Sequence, residues 1–295
     1  MGTTWSVRYV GGPEPEALRT GIEAVLARIV GQMSGWESGS DICRFNAAAP
    51  GTWHGLPEDF AAVLRCALEI AAETGGAFDP TMGTLTDLWG FGPRAVAPGL
   101  PDPMALASAL AHRGWERLRL DGHRLLQPGG VALDFCGIAK GHAVDLVAET
   151  ALAAGAESLL ADIGGELRGH GVKPDGSPWW VGLEAVPGAE AEGLVVALHG
   201  LSVATSGEYR RHFDHDGRRY AHTLDPRSGW PVAHDLASVT VLHPSCMRAD
   251  ALATALTVLG PEAGMQHATR HGLRALFVTR GGDETMSPAL EAMLD

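Results

Sequence analysis

Cysteine is scarce: Cys43, Cys66, Cys136 and Cys246 are the only four in 295 residues, with no CxxC pair and no zinc-like spacing among them. Such scatter supplies neither a disulfide framework nor a structural zinc site, so the thiols are expected to be reduced. Positive charge is also short. The 22 Lys and Arg face 35 Asp and Glu, a formal net charge of −13. No basic excess is available to neutralise a phosphate backbone, which argues against nucleic acid as a partner. Any phosphate this chain binds must be met by a metal, by backbone amides or by a few local cations. Long apolar runs are missing too, and none approaches the ~20 residues of a membrane span, so no stable membrane insertion is expected. The N-terminus shows no basic region followed by an apolar one, so no signal peptide is visible and a cytoplasmic location is expected unless the native start lies upstream. Met1-Gly2…Ser6 matches the myristoylation pattern, but TTWSVRYV reads as the start of a buried strand.

What is present is a globular composition, 45% apolar and 19% charged, long enough for one large domain or two small ones with ample core. Residues 3–10 alternate like a strand, and 14–33 read as an amphipathic helix. SGWESGSDICRFN is turn-rich. A second helix is expected over 57–73, stopped by Thr74-Gly75-Gly76. FDPTMGTLTDLWGFGP is too irregular for a regular element and too apolar for a solvated linker; loops of that length are commonly functional. A helix over 101–112, a hairpin in RLRLDGHRLL with an Asp-Gly turn, a strand in VALDF and a long helix in IAKGHAVDLVAETALAAG follow. SLLADIGGELRGHG reads as two strands kinked at the double glycine, and several strands are expected between 179 and 240. Two helices (249–259 and 261–271), a strand (273–279) and a loose tail close the chain. EAVPGAEAEG (184–193) is a hydrophilic turn. Strands and helices do not alternate as strict βαβ units, which favours α+β or mixed α/β over a doubly wound fold.

The most informative segment is Ala249-Asp250-Ala251-Leu252-Ala253-Thr254. On a helix Asp250 and Thr254 project from one face, one turn apart. A carboxylate and a hydroxyl so placed make half of a hard-cation site, since Mg2+ prefers oxygen ligands and is usually held by one or two carboxylates together with substrate phosphates. The plainer reading is a capped amphipathic helix, with Asp250 near the N-terminus and Thr254 bonded back to the previous turn. Leu133-Asp134-Phe135-Cys136-Gly137-Ile138-Ala139-Lys140-Gly141 runs through small residues into a helix N-terminus, where an anion is favoured. Lys140 would add a point charge there. The spacing is not that of a P-loop, and a tight strand–helix turn accounts for it equally well. Asp162-Ile163-Gly164-Gly165-Glu166 allows close backbone approach to a ligand, or a bulge. Ala204-Thr205-Ser206-Gly207 is rich in hydroxyls, and Tyr220-Ala221-His222-Thr223-Leu224-Asp225-Pro226 sets a histidine among strand residues; together they could surround a reacting phosphoryl group. Histidine is the usual proton acceptor near neutral pH, but the chain has 13 of them.

Taken in order, SDICRFN, GGAFDPTMG, LDFCGIAKGHAVD, DIGGELRGHG, TSGEYRR, HTLDPRSGWPV and ADALATAL resemble the FAD:protein FMN transferases, the ApbE-type flavin transferases, over nearly the whole chain. The resemblance implies an α+β (mixed α/β) fold: one compact flavin transferase domain over 1–295, of two related lobes with mixed sheets and flanking helices around a deep FAD cleft. It implies Mg2+-dependent transfer of FMN from FAD to a Thr or Ser hydroxyl of an acceptor flavoprotein, with release of AMP. Carried onto this sequence, the metal ligands would be Asp250, Thr254 and the backbone carbonyl of Ala139. FAD contacts would fall on Met1, Trp36, Ala77, Phe78, Asp79, Cys136, His142 and the strand near Leu224, with Trp36 suited to stacking on a flat ring system. His222 would accept the proton of the incoming hydroxyl, Lys140 would stabilise the AMP leaving group, and Asp225 would orient the loop or His222. Cys136 and His142 depart from the family, which more often shows glycine or serine and tyrosine there. Two other readings stand beside this one. A Mg2+-dependent FAD pyrophosphatase would use water as acceptor, and a non-catalytic flavin carrier would have no need of His222. A self-flavinylated protein would need an acceptor threonine in a suitable context, and the nearest segment, Asp79 to Thr84, belongs to the expected FAD cleft.

Overall fold

The structure, a computed structural model, describes residues 2–94, 96–97, 99–183, 193–208 and 211–293. In chain order the elements are β1 (Trp5–Gly11), α1 (Pro15–Met33), α2 (Asp41–Asn46), β2 (Trp53–Gly55), α3 (Glu58–Glu73), α4 (Gly83–Leu88), α5 (Pro103–His112), β3 (Arg119–Asp121) and β4 (Arg124–Leu126). There follow α6 (Ala139–Ala153), β5 (Ala156–Ile163), β6 (Glu166–His170), β7 (Trp179–Gly182), β8 (Val195–Leu198), β9 (Leu201–Gly207), β10 (His212–His215) and β11 (Arg218–Ala221). The chain ends with β12 (Leu236–His243), α7 (Cys246–Arg270), β13 (Arg274–Thr279), β14 (Glu284–Met286) and α8 (Pro288–Glu291). The fold is α+β. It divides into two compact units, one of Met1–Arg28, Gly137–Tyr209 and Asp235–Asp295, the other of Ile29–Cys136 and Arg210–His234.

The first unit is built on a seven-stranded sheet in the order β1-β5-β6-β9-β12-β13-β14. Every ladder in it is antiparallel. The interior strand β12, LASVTVLH, is buried at every position but the last, so both faces of the sheet are covered there. One face carries Leu160, Val203, Leu242 and Leu276 against the β7–β8 hairpin and Leu290 of α8. On the other, Phe277 meets α7 at Gly264, where an added Cβ would lie 3.0 Å from the ring. Inside α7, Gly260 takes φ 80° and ψ −179°. A side chain disfavours that conformation, and Pro261 restarts the helix at a position that needs no N–H. α7 is therefore two helices joined at this glycine, as expected over 249–259 and 261–271.

The second unit is mainly helical, with a three-stranded sheet β2-β4-β3 and the β10–β11 hairpin, so the two units do not share a topology. The end of α3 is a Schellman stop: Gly75 N–H reaches Ala72 O at 3.3 Å and Gly76 N–H reaches Ala71 O at 2.8 Å. An aromatic cluster holds the unit's other half together. Trp89, fully buried, stacks on Tyr220 at 5.9 Å, and Phe213 stacks on Tyr220 at 5.2 Å.

Several local expectations change. The named ladders are antiparallel in both units, not mixed. Gly164-Gly165 is not a kink but a two-residue hairpin turn joining β5 to β6, with φ of 64° and 98°. VALDF forms no ladder, only a parallel bridge from Ala132 to Met82. Two short helices were not foreseen, α2 behind the Ser40 cap and α4 inside the irregular segment. The tail is ordered as β14 and α8. Most of the turn expected over 184–193 lies outside the described residues.

Candidate functional site

Helix α6 opens without a side-chain cap, from Ile138 at φ −151°. Its first N–H groups have no partner within the helix, and one of them is taken by a carboxylate from α7: Gly141 N–H donates to Asp250 Oδ2 at 3.0 Å. Only glycine permits this approach. A Cβ on residue 141 would lie 2.3 Å from the Cys246 carbonyl oxygen and 2.9 Å from the Asp250 Cβ. Ala139 and Lys140 form the first turn of α6, and Thr254 follows Asp250 one turn along α7. The structure thus brings the ADALAT helix and the GIAKG turn together. His142 is buried one residue further along α6.

A second carboxylate joins them. The hairpin turn delivers Glu166, at the start of β6, to Lys140, whose Nζ donates to Glu166 Oε1 at 2.5 Å. The Glu166 side chain is only 4% exposed. Burial, and then the Asp250 charge, push its carboxyl up to about 7 in spite of the lysine. Burial also raises Asp250, against the attraction of Lys140 and the Gly141 N–H. Lys140, one of only two lysines in the chain, is thus shared by two buried acids. Glu166 Oε2 is buried with no hydrogen-bond partner. An oxygen-seeking cation fits this set of groups, because its charge would offset the repulsion between the two buried acids.

The N-terminus of α7 is itself held by α6. Asp145 Oδ1 accepts from Cys246 N–H at 3.0 Å and from Arg168 Nη1 at 2.8 Å. Its Oδ2 accepts from Met247 N–H at 3.0 Å and from the Ser245 hydroxyl at 2.9 Å.

The second unit carries the remaining candidates. His222 follows β11 and prolongs the hairpin ladder, its N–H reaching Arg211 O at 3.1 Å. Its ring Nδ1 also lies 3.1 Å from that carbonyl. A carbonyl only accepts, so Nδ1 carries a proton, which in the neutral ring leaves the lone pair on Nε2. Phe91 meets the ring edge-on at 6.3 Å. Asp225 is engaged in its own turn: it accepts from Arg227 N–H at 2.9 Å and pairs bidentately with the Arg227 guanidinium at 2.8 and 2.9 Å. Trp36 is 56% exposed, an available aromatic face. Leu224 is buried and bridges Pro231.

Ala77, Phe78 and Asp79 are all buried. The Asp79 carboxylate is 0% exposed, 3.6 Å from Arg113. Its Oδ1 is occupied by the Thr81 N–H and hydroxyl at 2.8 and 2.6 Å, so in this arrangement it orders the 79–81 turn. Cys136 is exposed, with its N–H on Asp134 Oδ1 at 2.8 Å. Met1 lies outside the described residues.

Two groups at this site escaped the reading of the sequence, Glu166 and Asp145. Glu166 had a local signal, an acid directly after a glycine pair at the start of an otherwise sheet-forming segment. Asp145 had only its helical spacing from Gly141, because the α7 groups it binds lie about a hundred residues away.

Among the described residues no helix is long and apolar enough to cross a membrane. A family model described as the ApbE family matches residues 1–277. The FAD:protein FMN transferase of Haemophilus influenzae is 36% identical over 292 residues, which span 95% of this chain and 84% of that protein. The apo form of Pseudomonas stutzeri flavinyl transferase ApbE superposes with a TM-score of 0.93 at 43% identity, over 99% of this chain and 93% of that one. The flavin transferase ApbE from Vibrio cholerae gives 0.91 at 34% identity, over 99% and 96%. With these matches spanning nearly its full length, the chain belongs to the ApbE family.

Proposed function

We propose that this enzyme transfers the FMN half of FAD to a Thr or Ser hydroxyl of an acceptor flavoprotein, in the cytoplasm, with Mg2+ as its cofactor. The observation that carries this reading is the pair of buried acids, Asp250 and Glu166, sharing Lys140 beside the first turn of α6. Buried carboxylates in excess of their cations suit a divalent ion, and a cation beside a helix N-terminus suits phosphates. The reaction is phosphoryl transfer. The acceptor oxygen bonds to the FMN phosphorus, the pyrophosphate bond breaks, AMP departs with the bridging oxygen, and the hydroxyl proton goes to His222 Nε2.

Asp250, Thr254 and the Ala139 carbonyl would hold Mg2+, which when bound offsets charge on the phosphates. Glu166 fixes the Lys140 ammonium, and Lys140 lends its charge to the leaving phosphate. The Arg211 carbonyl keeps the His222 ring in the tautomer that accepts a proton at Nε2. Trp36 offers a face for a flat ring, and Ala77, Phe78, Asp79, Cys136, His142 and Leu224 complete the set assigned to FAD, Asp79 through the turn it orders. Met1 keeps its assignment from the family resemblance alone.

The test is incubation of the protein with FAD and Mg2+, with and without an acceptor peptide carrying an Asp-…-Thr motif, followed by mass spectrometry. The peptide should gain the mass of FMN, AMP should appear, and both should be lost with a chelator. Free FMN and AMP without a labelled peptide would make the enzyme a pyrophosphatase, and unchanged bound FAD would make it a carrier.

A further inference from the structure

The hydrogen bonds at the start of α7 assign a role that neither the sequence motifs nor the family match gives. We infer that Asp145, braced by Arg168, is a positioning residue that clamps the N-terminus of α7 onto α6 and so sets the spacing between the two halves of the cation site. This rests on the proposed Mg2+ site.

The groups that would hold the ion come from two helices: Ala139 opens α6, and Asp250 and Thr254 lie in the first turns of α7. What fixes one helix against the other is therefore what fixes the site. Asp145 does so from the second turn of α6. Its carboxylate takes both backbone N–H groups of Cys246 and Met247, which the helix leaves without internal acceptors. It also takes the hydroxyl of the cap residue Ser245, whose oxygen in turn accepts from Arg248 N–H at 3.4 Å. A carboxylate at a helix N-terminus is doubly suited, by hydrogen bonding and by the helix dipole. From β6, Arg168 ties the same carboxylate to the sheet at 2.8 Å. Gly141 closes the other side of the joint, where α6 touches the Cys246 carbonyl. Asp250 lies one turn beyond Cys246, so a shift at Cys246 moves the Asp250 carboxylate relative to Ala139.

Each Asp145 oxygen faces two donors. Asparagine is nearly the same size but puts an NH2 group against one pair of them, so Asp145→Asn breaks the clamp with little change in volume. The experiment uses the metal-free full chain and measures binding of Mn2+ by loss of the free-ion EPR signal, at a temperature well below each variant's melting point. A merely structural residue would lower the melting point and leave this affinity alone. Asp145→Asn should weaken Mn2+ binding roughly 10- to 100-fold, the range seen when residues supporting metal ligands are lost. Arg168→Gln should act in the same direction to a smaller degree, and it decides the matter if Asp145→Asn does not fold. Glu149→Gln, which removes the other acid on Arg168 at 3.3 Å, should change nothing. Unaltered Mn2+ affinity in the folded Asp145 and Arg168 variants, with binding abolished in Asp250→Asn, would overturn the clamp alone. Undiminished binding in Asp250→Asn would overturn the metal site and the clamp with it.

Discussion

A histidine's usefulness as a base depends on which nitrogen keeps its proton, and at His222 a backbone carbonyl makes that choice. Nδ1 is committed to Arg211 O at 3.1 Å, and Phe91 packs against the ring edge. The ring is therefore oriented by its own hairpin. The expected consequence is a separation of binding from chemistry. His222→Ala should lower transfer by about 10²- to 10⁴-fold, the usual worth of general base catalysis, while FAD affinity, followed by quenching of flavin fluorescence, stays within about twofold. Loss of FAD binding in that variant would make His222 a structural residue. Its neighbour Asp225 shows how residue type alone misleads. An acid three residues from a histidine invites a catalytic pairing, yet this one spends both oxygens on Arg227. The Asp79 carboxylate, which the family resemblance sets among the FAD contacts, is also turned inward, sealed from solvent beside Arg113. Whether an acid is turned inward cannot be read from its neighbours in the chain, because burial is decided by residues far from it.

At the scale of elements, periodicity carried most of the reading. Helices α1, α3 and α5 and both halves of α7 follow their apolar spacing, and Gly75-Gly76 and Gly260-Pro261 mark their stops. Failures came where local signals were ambiguous. Two glycines in a row permit a kink or a turn, and only the pairing of Ile163 with Glu166 decides for the turn. VALDF has strand propensity but finds no ladder beyond one bridge. Helix α4, GTLTDL, is too short for periodicity to show. The joint between α6 and α7 was partly legible, since the small residues before Lys140 suggested close packing, but its partner was not. That joint is testable through Gly141. A methyl group there would meet the Cys246 carbonyl at 2.3 Å, so Gly141→Ala must separate the helices. Overpacking of this kind costs typically 1–3 kcal/mol, and the thermal midpoint should fall by several degrees. Gly31→Ala is the contrast. Gly31 sits within α1 with open space around its Cβ position, so the exchange should stabilise by about 0.5–1 kcal/mol. Equal melting points for the two variants would show that the close approach at Gly141 relaxes without cost.

Across the whole molecule the charge balance is acidic, −13, and the chain has only two lysines. One of the two is committed to the buried pair of acids, whose titration should be visible in the stability of the entire fold. Glu166, raised by burial and by Asp250 to about 7 from an ordinary 4.5, takes up a proton at a higher pH when folded than when unfolded. Between those two values the folded chain binds more protons than the unfolded one, so this contribution is present at low pH and is lost as pH rises through 7. Burial raises Asp250 in the same direction. The metal-free protein, melted in the presence of a chelator, should therefore gain stability from this pair on going from pH 8 to pH 5. Other groups titrate over the same range, and the acidic excess adds its own repulsion as carboxylates ionise. Glu166→Gln isolates the effect, because the amide has no charge to bury and its melting curves should depend less on pH. A bound divalent ion acts the other way, since it favours ionised ligands and stabilises only the folded state. Saturating Mg2+ should thus raise the melting point more at pH 8 than at pH 5, and more in the wild type than in Asp250→Asn. If wild type and Glu166→Gln kept the same pH slope without metal, Glu166 would be ionised in the folded protein at neutral pH, held so by Lys140 at 2.5 Å.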